Sequence, residues 1–155
     1  MLYILEGCDG SGKTTLANQL SKLLDAEIIH CSTTTPNDYE FFKRIAKNSR
    51  VKNVIADRFC YGQFIYQEEK DRPLRKYRGD SIKALGRFEA NYLMGKAKLI
   101  YVTAPTEIIK ERLSLRGEIL VNGLTVEEIK AKYDALRKMS MLTWLEYNTG
   151  GEVYV

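Results

Sequence analysis

Eight consecutive residues near the start of the chain have the types and spacing of a phosphate-binding loop. Gly7–Thr14 reads Gly-Cys-Asp-Gly-Ser-Gly-Lys-Thr and fits the pattern G-x-x-x-x-G-K-S/T. Its glycines let the backbone turn tightly, so that consecutive N–H groups point at one anion. In this pattern the lysine contacts the outer phosphates of a nucleoside triphosphate and the final hydroxyl ligates Mg²⁺. The motif therefore predicts a triphosphate site formed by Gly10, Ser11, Gly12, Lys13, Thr14 and Thr15.

The segments around this loop predict strands and helices in alternation. Short apolar runs indicate strands over Leu2–Leu5, Ala26–Cys31, Asn53–Ala56, Lys98–Thr103 and Glu152–Val155. Apolar residues at helical spacing indicate helices after Lys13, over Tyr39–Lys47, Phe59–Glu69, Ile82–Leu93 and Thr106–Leu115, and from Thr125 toward Tyr147. Thr106 and a capping box at Thr125–Glu128 are expected to start the last two helices. Because continuous apolar strands that alternate with helices form parallel sheets, we expect a three-layer α/β/α fold.

Length and composition limit the architecture and exclude several classes of protein. The chain has 155 residues, of which 45% are hydrophobic and 28% charged, so we expect one globular domain over residues 1–155. No apolar stretch approaches the ~20 residues that span a bilayer, and we expect no membrane partner. Three cysteines without C-x-x-C spacing argue against a disulfide framework or a zinc site, and favour a reduced, cytoplasmic protein. The single histidine, His30, is interpreted as a strand-end or core residue rather than a catalytic group.

The residues at the ends of the predicted strands separate the classes of P-loop protein. A Ras-like GTPase would carry N-K-x-D near the fourth strand, where this chain has Tyr101–Pro105, and a dinucleotide site would need glycine at Thr15. The third strand ends in Asp57 and Arg58, an acid followed by a cation rather than the paired acids of motor ATPases. Because an arginine beside the phosphate loop suits a second anionic substrate, this pattern favours a kinase. The net charge of +4 suits an anionic ligand, and we do not expect nucleic-acid binding from it.

Three segments resemble the thymidylate kinase-like branch of the nucleoside monophosphate kinases, with compact phage deoxynucleotide kinases as the nearest subset. Glu6–Thr15 is similar to that family's E-G-x-D/E-G-x-G-K-T-T. Asp57–Gln67 is similar to D-R-Y/H-x-x-S-x-x-A-Y-Q, with Gly62 and Ile65 in place of serine and alanine. Glu111–Glu118 follows a strand and a proline, as the arginine-bearing lid does in the family.

This resemblance implies the fold and the reaction. It implies a P-loop NTPase domain whose five-stranded parallel sheet has the order 2-3-1-4-5, with a lid over about residues 112–125. It implies that ATP, with Mg²⁺, phosphorylates a deoxynucleoside monophosphate, and dTMP is the first candidate. It also suggests a homodimer that binds small nucleotide substrates.

The resemblance further implies roles for the residues around the acceptor. Asp9 would accept a hydrogen bond from the 3′-hydroxyl of the acceptor sugar. Asp57 would organise Mg²⁺ or the incoming phosphate, so that Thr14 and Asp57 form the predicted metal pair. Arg58 would clamp the monophosphate and the migrating phosphoryl group. Tyr66 would press against the 2′ side of the sugar, with Gln67 nearby.

Two further roles are assigned by the same resemblance to less well matched positions. Some relatives carry a catalytic arginine inside the phosphate loop, at the position of Gly10 in this chain. The lid is therefore implied to supply it, from Arg116 or Arg112. The F-x-x-x-R pair that reads the base in the family does not occur at the family's spacing, and the nearest candidates are Phe41, Phe42 and Arg44.

Three alternatives stay open at this point. In a deoxynucleoside kinase, Asp57 would act as a base toward a 5′-hydroxyl. A polynucleotide 5′-kinase would use the basic residues between Lys70 and Arg78. A nucleotide-binding regulator would hold ATP without transferring its phosphate to any acceptor.

Overall fold

Five parallel strands form one sheet in a computed structural model that describes residues 1–31, 39–74, 80–120 and 123–150. The strands are β1 (Leu2–Glu6), β2 (Glu27–His30), β3 (Val54–Asp57), β4 (Ala97–Thr103) and β5 (Trp144–Asn148). Their order is β2-β3-β1-β4-β5, which confirms the predicted order. All four pairings are parallel, so the carboxyl ends of the strands lie together at one edge. Ligands of such sheets bind beyond this edge.

Six helices within the described residues lie on the two faces of the sheet. They are α1 (Lys13–Leu24), α2 (Tyr39–Asn48), α3 (Gln63–Tyr66), α4 (Ser81–Phe88), α5 (Thr106–Arg116) and α6 (Val126–Met139). A π-helical turn, Glu89–Leu93, continues α4, and two 3₁₀ turns flank α3. Among the described helices, none combines the length and the apolar character needed to cross a membrane.

The strand residues alternate between the two faces, and each face has its own apolar cluster. On one face α1 packs on the sheet through Leu16 and Ala17, which contact a cluster containing Leu5, Ile55 and Val102. Helices α2, α4, α5 and α6 cover the opposite face, whose cluster includes Leu2, Ile4, Val54, Ala56, Leu99 and Tyr101. Burial on both faces explains why the strands read as continuous apolar runs.

The predicted helix over Phe59–Glu69 is wrong, because the chain breaks it into short turns. Only α3 is α-helical in this segment, and it ends where Gln67 adopts an extended conformation. The side chain of Arg72 explains the break: its Nε donates to the carbonyl oxygens of Gln63 at 3.2 Å and of Gln67 at 3.0 Å. The Gln63 carbonyl also accepts the N–H of Gln67 within α3, whereas the Gln67 carbonyl, which a longer helix would have bonded internally, is taken up by the guanidinium.

The C-terminal elements also differ from the prediction. Helix α6 stops at Met139 because the buried carboxylate of Glu89 binds the hydroxyl of Ser140 and the N–H of Met141. The fifth strand is therefore β5, and the predicted strand over Glu152–Val155 lies outside the described residues.

The two predicted helix caps have different outcomes. Thr125 caps α6 as predicted, since its hydroxyl accepts a hydrogen bond from the N–H of Glu128 at 3.1 Å. Thr106 does not cap α5, because Pro105 occupies the capping position and Thr106 is the first helical residue. The Thr106 hydroxyl instead accepts a hydrogen bond from Lys130 of α6 at 2.9 Å.

Candidate active site

The loop between β1 and α1 has the backbone of an anion-binding nest. Gly12 has a φ of 97°, in the left-handed region, and lies against Thr149, whose Oγ1 would be 2.9 Å from an added Cβ. Gly7 passes so close to β4 that an added Cβ would lie 2.2 Å from the carbonyl oxygen of Val102. Only glycine fits these two positions, so the motif reflects both the turn and its packing.

Lys13 lies inside this loop rather than on the surface. Its side chain is buried, and its Nζ lies 3.5 Å from the carbonyl oxygen of Cys8. Burial, and then the charge of Arg58, lower the pKa of Lys13 to about 8. A phosphate bound in this loop would stabilise the charged form of this ammonium group.

Thr14 and Asp57 meet where α1 begins and β3 ends. The hydroxyl of Thr14 donates to Oδ2 of Asp57 at 3.4 Å, and Nδ1 of His30 lies 3.0 Å from the same oxygen. A hydroxyl and a carboxylate fit Mg²⁺, which usually keeps several waters and substrate phosphate oxygens as its remaining ligands. The described residues contain no cluster of three His, Cys, Asp or Glu side chains that would hold a metal without such ligands.

Arg58 is the second cation at this edge of the sheet. Its φ of 68° is in the left-handed region, a conformation that costs a non-glycine residue on the order of 1 kcal/mol or more. The guanidinium forms an ion pair with Asp9 of the phosphate loop, and its Cζ lies 5.0 Å from the centre of the Tyr66 ring. Arg58 thus lies between two of the residues assigned to the acceptor.

A cleft of about 830 Å³, which we call the α3–α6 cleft, opens beside these residues. Its lining includes Tyr66, Gln67, Arg72, Leu124 and Lys132. The side-chain oxygen Oε1 of Gln67 is buried and has no hydrogen-bond partner among the described residues. Because buried polar atoms are normally paired, this oxygen suits a hydrogen-bond donor of a bound molecule.

A second cleft of about 390 Å³, the P-loop cleft, lies on the other side of the phosphate loop. Its lining includes Thr15, Gln19, Arg116, Tyr147 and Asn148. Arg112 and Arg116, the two arginines of the predicted lid, both line this cleft, and Arg116 is exposed at the end of α5.

Arg112, the other arginine of the predicted lid, holds the phosphate loop through hydrogen bonds. Its Nη1 donates to the carbonyl oxygen of Gly10 at 3.1 Å and to Oγ1 of Thr149 at 3.0 Å, and its Nη2 donates to the Thr149 carbonyl at 3.3 Å. The Thr149 hydroxyl in turn donates to the carbonyl oxygen of Ser11. These contacts show that Arg112 positions the phosphate loop, and the prediction that Arg116 or Arg112 is catalytic stays a prediction.

Two of the candidates for reading the acceptor base, Phe42 and Arg44, line neither cleft. Phe42 is only 1% exposed. The centre of its ring lies 4.8 Å from that of Phe59 and 6.5 Å from that of Phe88. This aromatic core gives Phe42 a packing role and corrects the prediction. Arg44 is exposed on α2 and belongs to the lining of neither cleft.

A buried carboxyl group lies beneath the phosphate loop. Oε2 of Glu6 accepts a hydrogen bond from the N–H of Phe59 at 2.7 Å, and Oε1 accepts one from the hydroxyl of Tyr133 at 2.9 Å. Burial raises the pKa of Glu6 to about 7, against the lowering effect of Arg58 and these bonds. Glu6 therefore ties β1 to the end of β3 and to α6.

Three of these residues were not assigned a site role from the sequence. The position of His30 beside Asp57 follows from the sheet order, because β2 neighbours β3 and the two strands end together. Thr149 lies 138 residues from its partner Ser11, and no local pattern marks it. Tyr133 is one of many apolar positions along a long amphipathic helix, and its hydroxyl gives no separate signal.

Comparison with known proteins identifies the family. No protein-family model matches the chain. YorR, an SPbeta prophage-derived uncharacterized protein of Bacillus subtilis strain 168, is 31% identical over 154 residues, which cover 96% of this chain and 89% of YorR. The chain belongs to the YorR family. A crystal structure of YorR in complex with phosphorylated GDP matches this YorR-family chain with a TM-score of 0.73 at 30% identity, covering 96% of this chain and 86% of that one.

More distant solved structures share the fold. A deoxyadenosine kinase from M. mycoides with bound dCTP matches with a TM-score of 0.56 at 20% identity, over 100% of this chain and 92% of the kinase. Thymidylate kinase from Ehrlichia chaffeensis matches with a TM-score of 0.51 at 16% identity, over 99% of this chain and 89% of the kinase. This YorR-family chain therefore has the fold of the P-loop kinases, as the sequence predicted.

The raised pKa of Glu6 predicts a pH-dependent stability. The folded state binds this proton more tightly than the unfolded chain, so stability decreases as the pH rises from 4.5 to about 7. The full effect is on the order of 3 kcal/mol, from about 1.4 kcal/mol for each unit of pKa. Glu6→Gln stays neutral, and we expect it to remove this decrease in urea unfolding measured from pH 5 to pH 8. The exposed Glu27→Gln is the matched control, and an unchanged pH dependence in Glu6→Gln would contradict the assignment.

The contacts of Thr149 predict that its hydroxyl supports triphosphate binding. Thr149→Val keeps the shape of the side chain but removes the bonds to Ser11 and Arg112. We expect about tenfold weaker nucleoside triphosphate binding, the effect of losing about 1.4 kcal/mol of hydrogen bonding. Isothermal titration calorimetry measures the dissociation constant, and Thr149→Ser, which keeps the hydroxyl, is the control. Equal triphosphate affinity of the Thr149→Val and Thr149→Ser variants would show that the Thr149 hydroxyl does not support binding.

Proposed function

We propose that this chain transfers the γ-phosphoryl group of a nucleoside triphosphate, first of all ATP, to a deoxynucleoside monophosphate, with dTMP as the first candidate acceptor. The observation that carries the proposal is the position of Arg58. A second cation, separate from the Lys13 of the phosphate loop, is held between Asp9 and Tyr66. A nucleotide hydrolase has no second anionic substrate for such a cation to hold, whereas a monophosphate acceptor is one.

The surroundings of Arg58 support the choice of a nucleotide acceptor. The lining of the α3–α6 cleft includes the aromatic ring of Tyr66 and the amide of Gln67. Its charged side chains are of both signs, three basic (Lys70, Arg72, Lys132) and three acidic (Glu68, Glu69, Asp71). These groups suit the ring, the hydroxyls and the charge of a nucleotide. On acceptor binding, the monophosphate would compete with Asp9 for Arg58 and release the Asp9 carboxylate to accept a hydrogen bond from the sugar.

The chemistry of a monophosphate acceptor fits these residues. An acceptor phosphate oxygen forms a bond to the γ-phosphorus while the bond from that phosphorus to the β–γ bridging oxygen breaks, and the nucleoside diphosphate leaves. The attacking oxygen is already anionic, so no general base is required. Alignment and charge neutralisation by Lys13, Arg58 and Arg116 would then supply the catalysis.

Asp57 has a different role in this proposal from that of a base. Its carboxylate is 8% exposed and receives hydrogen bonds from Thr14 and His30. These contacts suit a ligand of Mg²⁺, which when bound neutralises charge on the donor phosphates. They leave Asp57 less suited to accept a proton from a 5′-hydroxyl, as a nucleoside kinase would require.

A screen of acceptors tests the proposed function. ATP and GTP are each offered, with Mg²⁺, to the deoxynucleoside monophosphates, the nucleosides and an oligonucleotide with a free 5′-hydroxyl, and release of the diphosphate is followed with a coupled assay. GTP is included because YorR was crystallised with phosphorylated GDP. We expect turnover with one or more monophosphates, abolished in Lys13→Ala. Turnover restricted to nucleosides or to oligonucleotide ends would replace the proposed acceptor, and no turnover with any acceptor would reduce the function to nucleotide binding.

The planar guanidinium of Arg58 is expected to determine the affinity for the acceptor monophosphate. Arg58→Lys keeps the charge and the backbone strain, but it loses the planar group that pairs with Asp9 and stacks on Tyr66. We expect kcat/KM for the monophosphate to fall by about 10- to 100-fold, as for lost hydrogen bonds between charged groups, with the KM for ATP little changed. Steady-state kinetics with each substrate varied in turn measure both. A rise confined to the KM for ATP would assign Arg58 to the donor instead.

A further inference from the structure

The ends of β2 and β3 bring the single histidine of the chain against a buried carboxylate. His30 and Asp57 are direct partners in the register of the two strands, and the N–H of Cys31 donates to the carbonyl oxygen of Asp57 at 3.2 Å. Nδ1 of His30 lies 3.0 Å from Oδ2 of Asp57. Because a carboxylate accepts hydrogen bonds, Nδ1 carries the proton in this contact.

The bonds to Asp57 are arranged asymmetrically. Both side-chain hydrogen bonds that it receives from the described residues, from His30 and from Thr14, end on Oδ2. The arrangement leaves Oδ1 for a ligand and fixes the rotation of the carboxylate with two donors on one oxygen. Outer partners of this kind orient the ligands of metal ions in proteins and are costly to remove.

The exposure of the two side chains shows how little His30 contributes to packing. The imidazole of His30 is 63% exposed, whereas the Asp57 side chain is 9% exposed. His30 therefore buries little surface, and its removal is expected to cost little folding stability.

We propose that His30 is a positioning residue for Asp57: its Nδ1–H holds the carboxylate in the orientation that binds the Mg²⁺ of the bound nucleotide. The proposal rests on the proposed function, since it takes Thr14 and Asp57 as the residues that hold Mg²⁺. It adds to that function a residue from the second strand, which the family motifs in the chain do not contain. His30 acts through Asp57 and needs no contact with the nucleotide.

A matched pair of variants tests the proposal. His30→Ala removes the donor, whereas His30→Asn places an amide N–H at the position of Nδ1. The measurement is the affinity of Mg²⁺ for the ATP complex, obtained by titrating Mg²⁺ into the protein with a fluorescent ATP analogue. We expect His30→Ala to weaken Mg²⁺ binding by about tenfold or more, the usual effect of removing an outer partner, and His30→Asn to restore most of it. The affinity for the analogue in EDTA should stay unchanged in both variants.

A double-mutant cycle with Asp57→Asn shows whether His30 acts through the carboxylate. If it does, His30→Ala has no further effect on Mg²⁺ affinity once Asp57 has lost its charge. Additive effects, an equal loss of nucleotide affinity with and without Mg²⁺, or failure of His30→Asn to restore binding would each overturn the proposal. The readout needs no turnover, so it stands apart from the acceptor screen: a chain that binds Mg²⁺ and ATP as described but phosphorylates no acceptor would refute the kinase and retain the role of His30.

Discussion

Two cations held close together at the edge of the sheet determine how the rest of the site is arranged. Lys13 and Arg58 repel each other, and this repulsion adds to the burial that lowers the pKa of Lys13 to about 8. The negative charges of Glu6, Asp9 and Asp57 raise the pKa of Lys13 again. Asp9 also forms an ion pair with the Arg58 guanidinium. Without substrates the positive charge is balanced from within the protein. Phosphate groups can take over that balance, which is why a site of this kind suits two anionic substrates at once.

Holding such charges in place requires a rigid support, and the sheet provides it. The strained backbone of Arg58 is fixed on both sides, since its own N–H donates to the carbonyl oxygen of Leu5 at 2.9 Å and the next N–H donates to Glu6. Glu6 also accepts a hydrogen bond from Tyr133, so α6 supports the same point from the other face of the sheet. Strain of this kind persists only where neighbouring contacts determine the conformation, and it concentrates at functional sites.

The sequence predicts those parts of the site that are local in the chain. The phosphate loop and the pair Asp57–Arg58 are contiguous motifs at strand ends, and the parallel sheet brings them to one edge. The break after α3 depends on the side chain of Arg72, and the packing of Phe42 depends on aromatic residues from two other elements, so neither has a periodic signal. Thr149 joins the site only after the whole sheet has formed. Predictions from the sequence therefore fail where a long-range side-chain contact outweighs a local preference.

The two arginines of α5 show how one helix can serve both the loop and the chemistry. Arg112 and Arg116 are four residues apart and therefore lie one above the other on the same face. Arg112 fixes this face to Gly10 and Thr149. Arg116 is thereby held about one helical turn from the phosphate loop, in the lining of the P-loop cleft. In the proposed function, an arginine placed this way would need only a rotation of its own side chain to contact a triphosphate, whereas an arginine on a free loop would first have to lose the entropy of that loop. Because Arg112 anchors α5, a contribution from Arg116 would cost little conformational entropy.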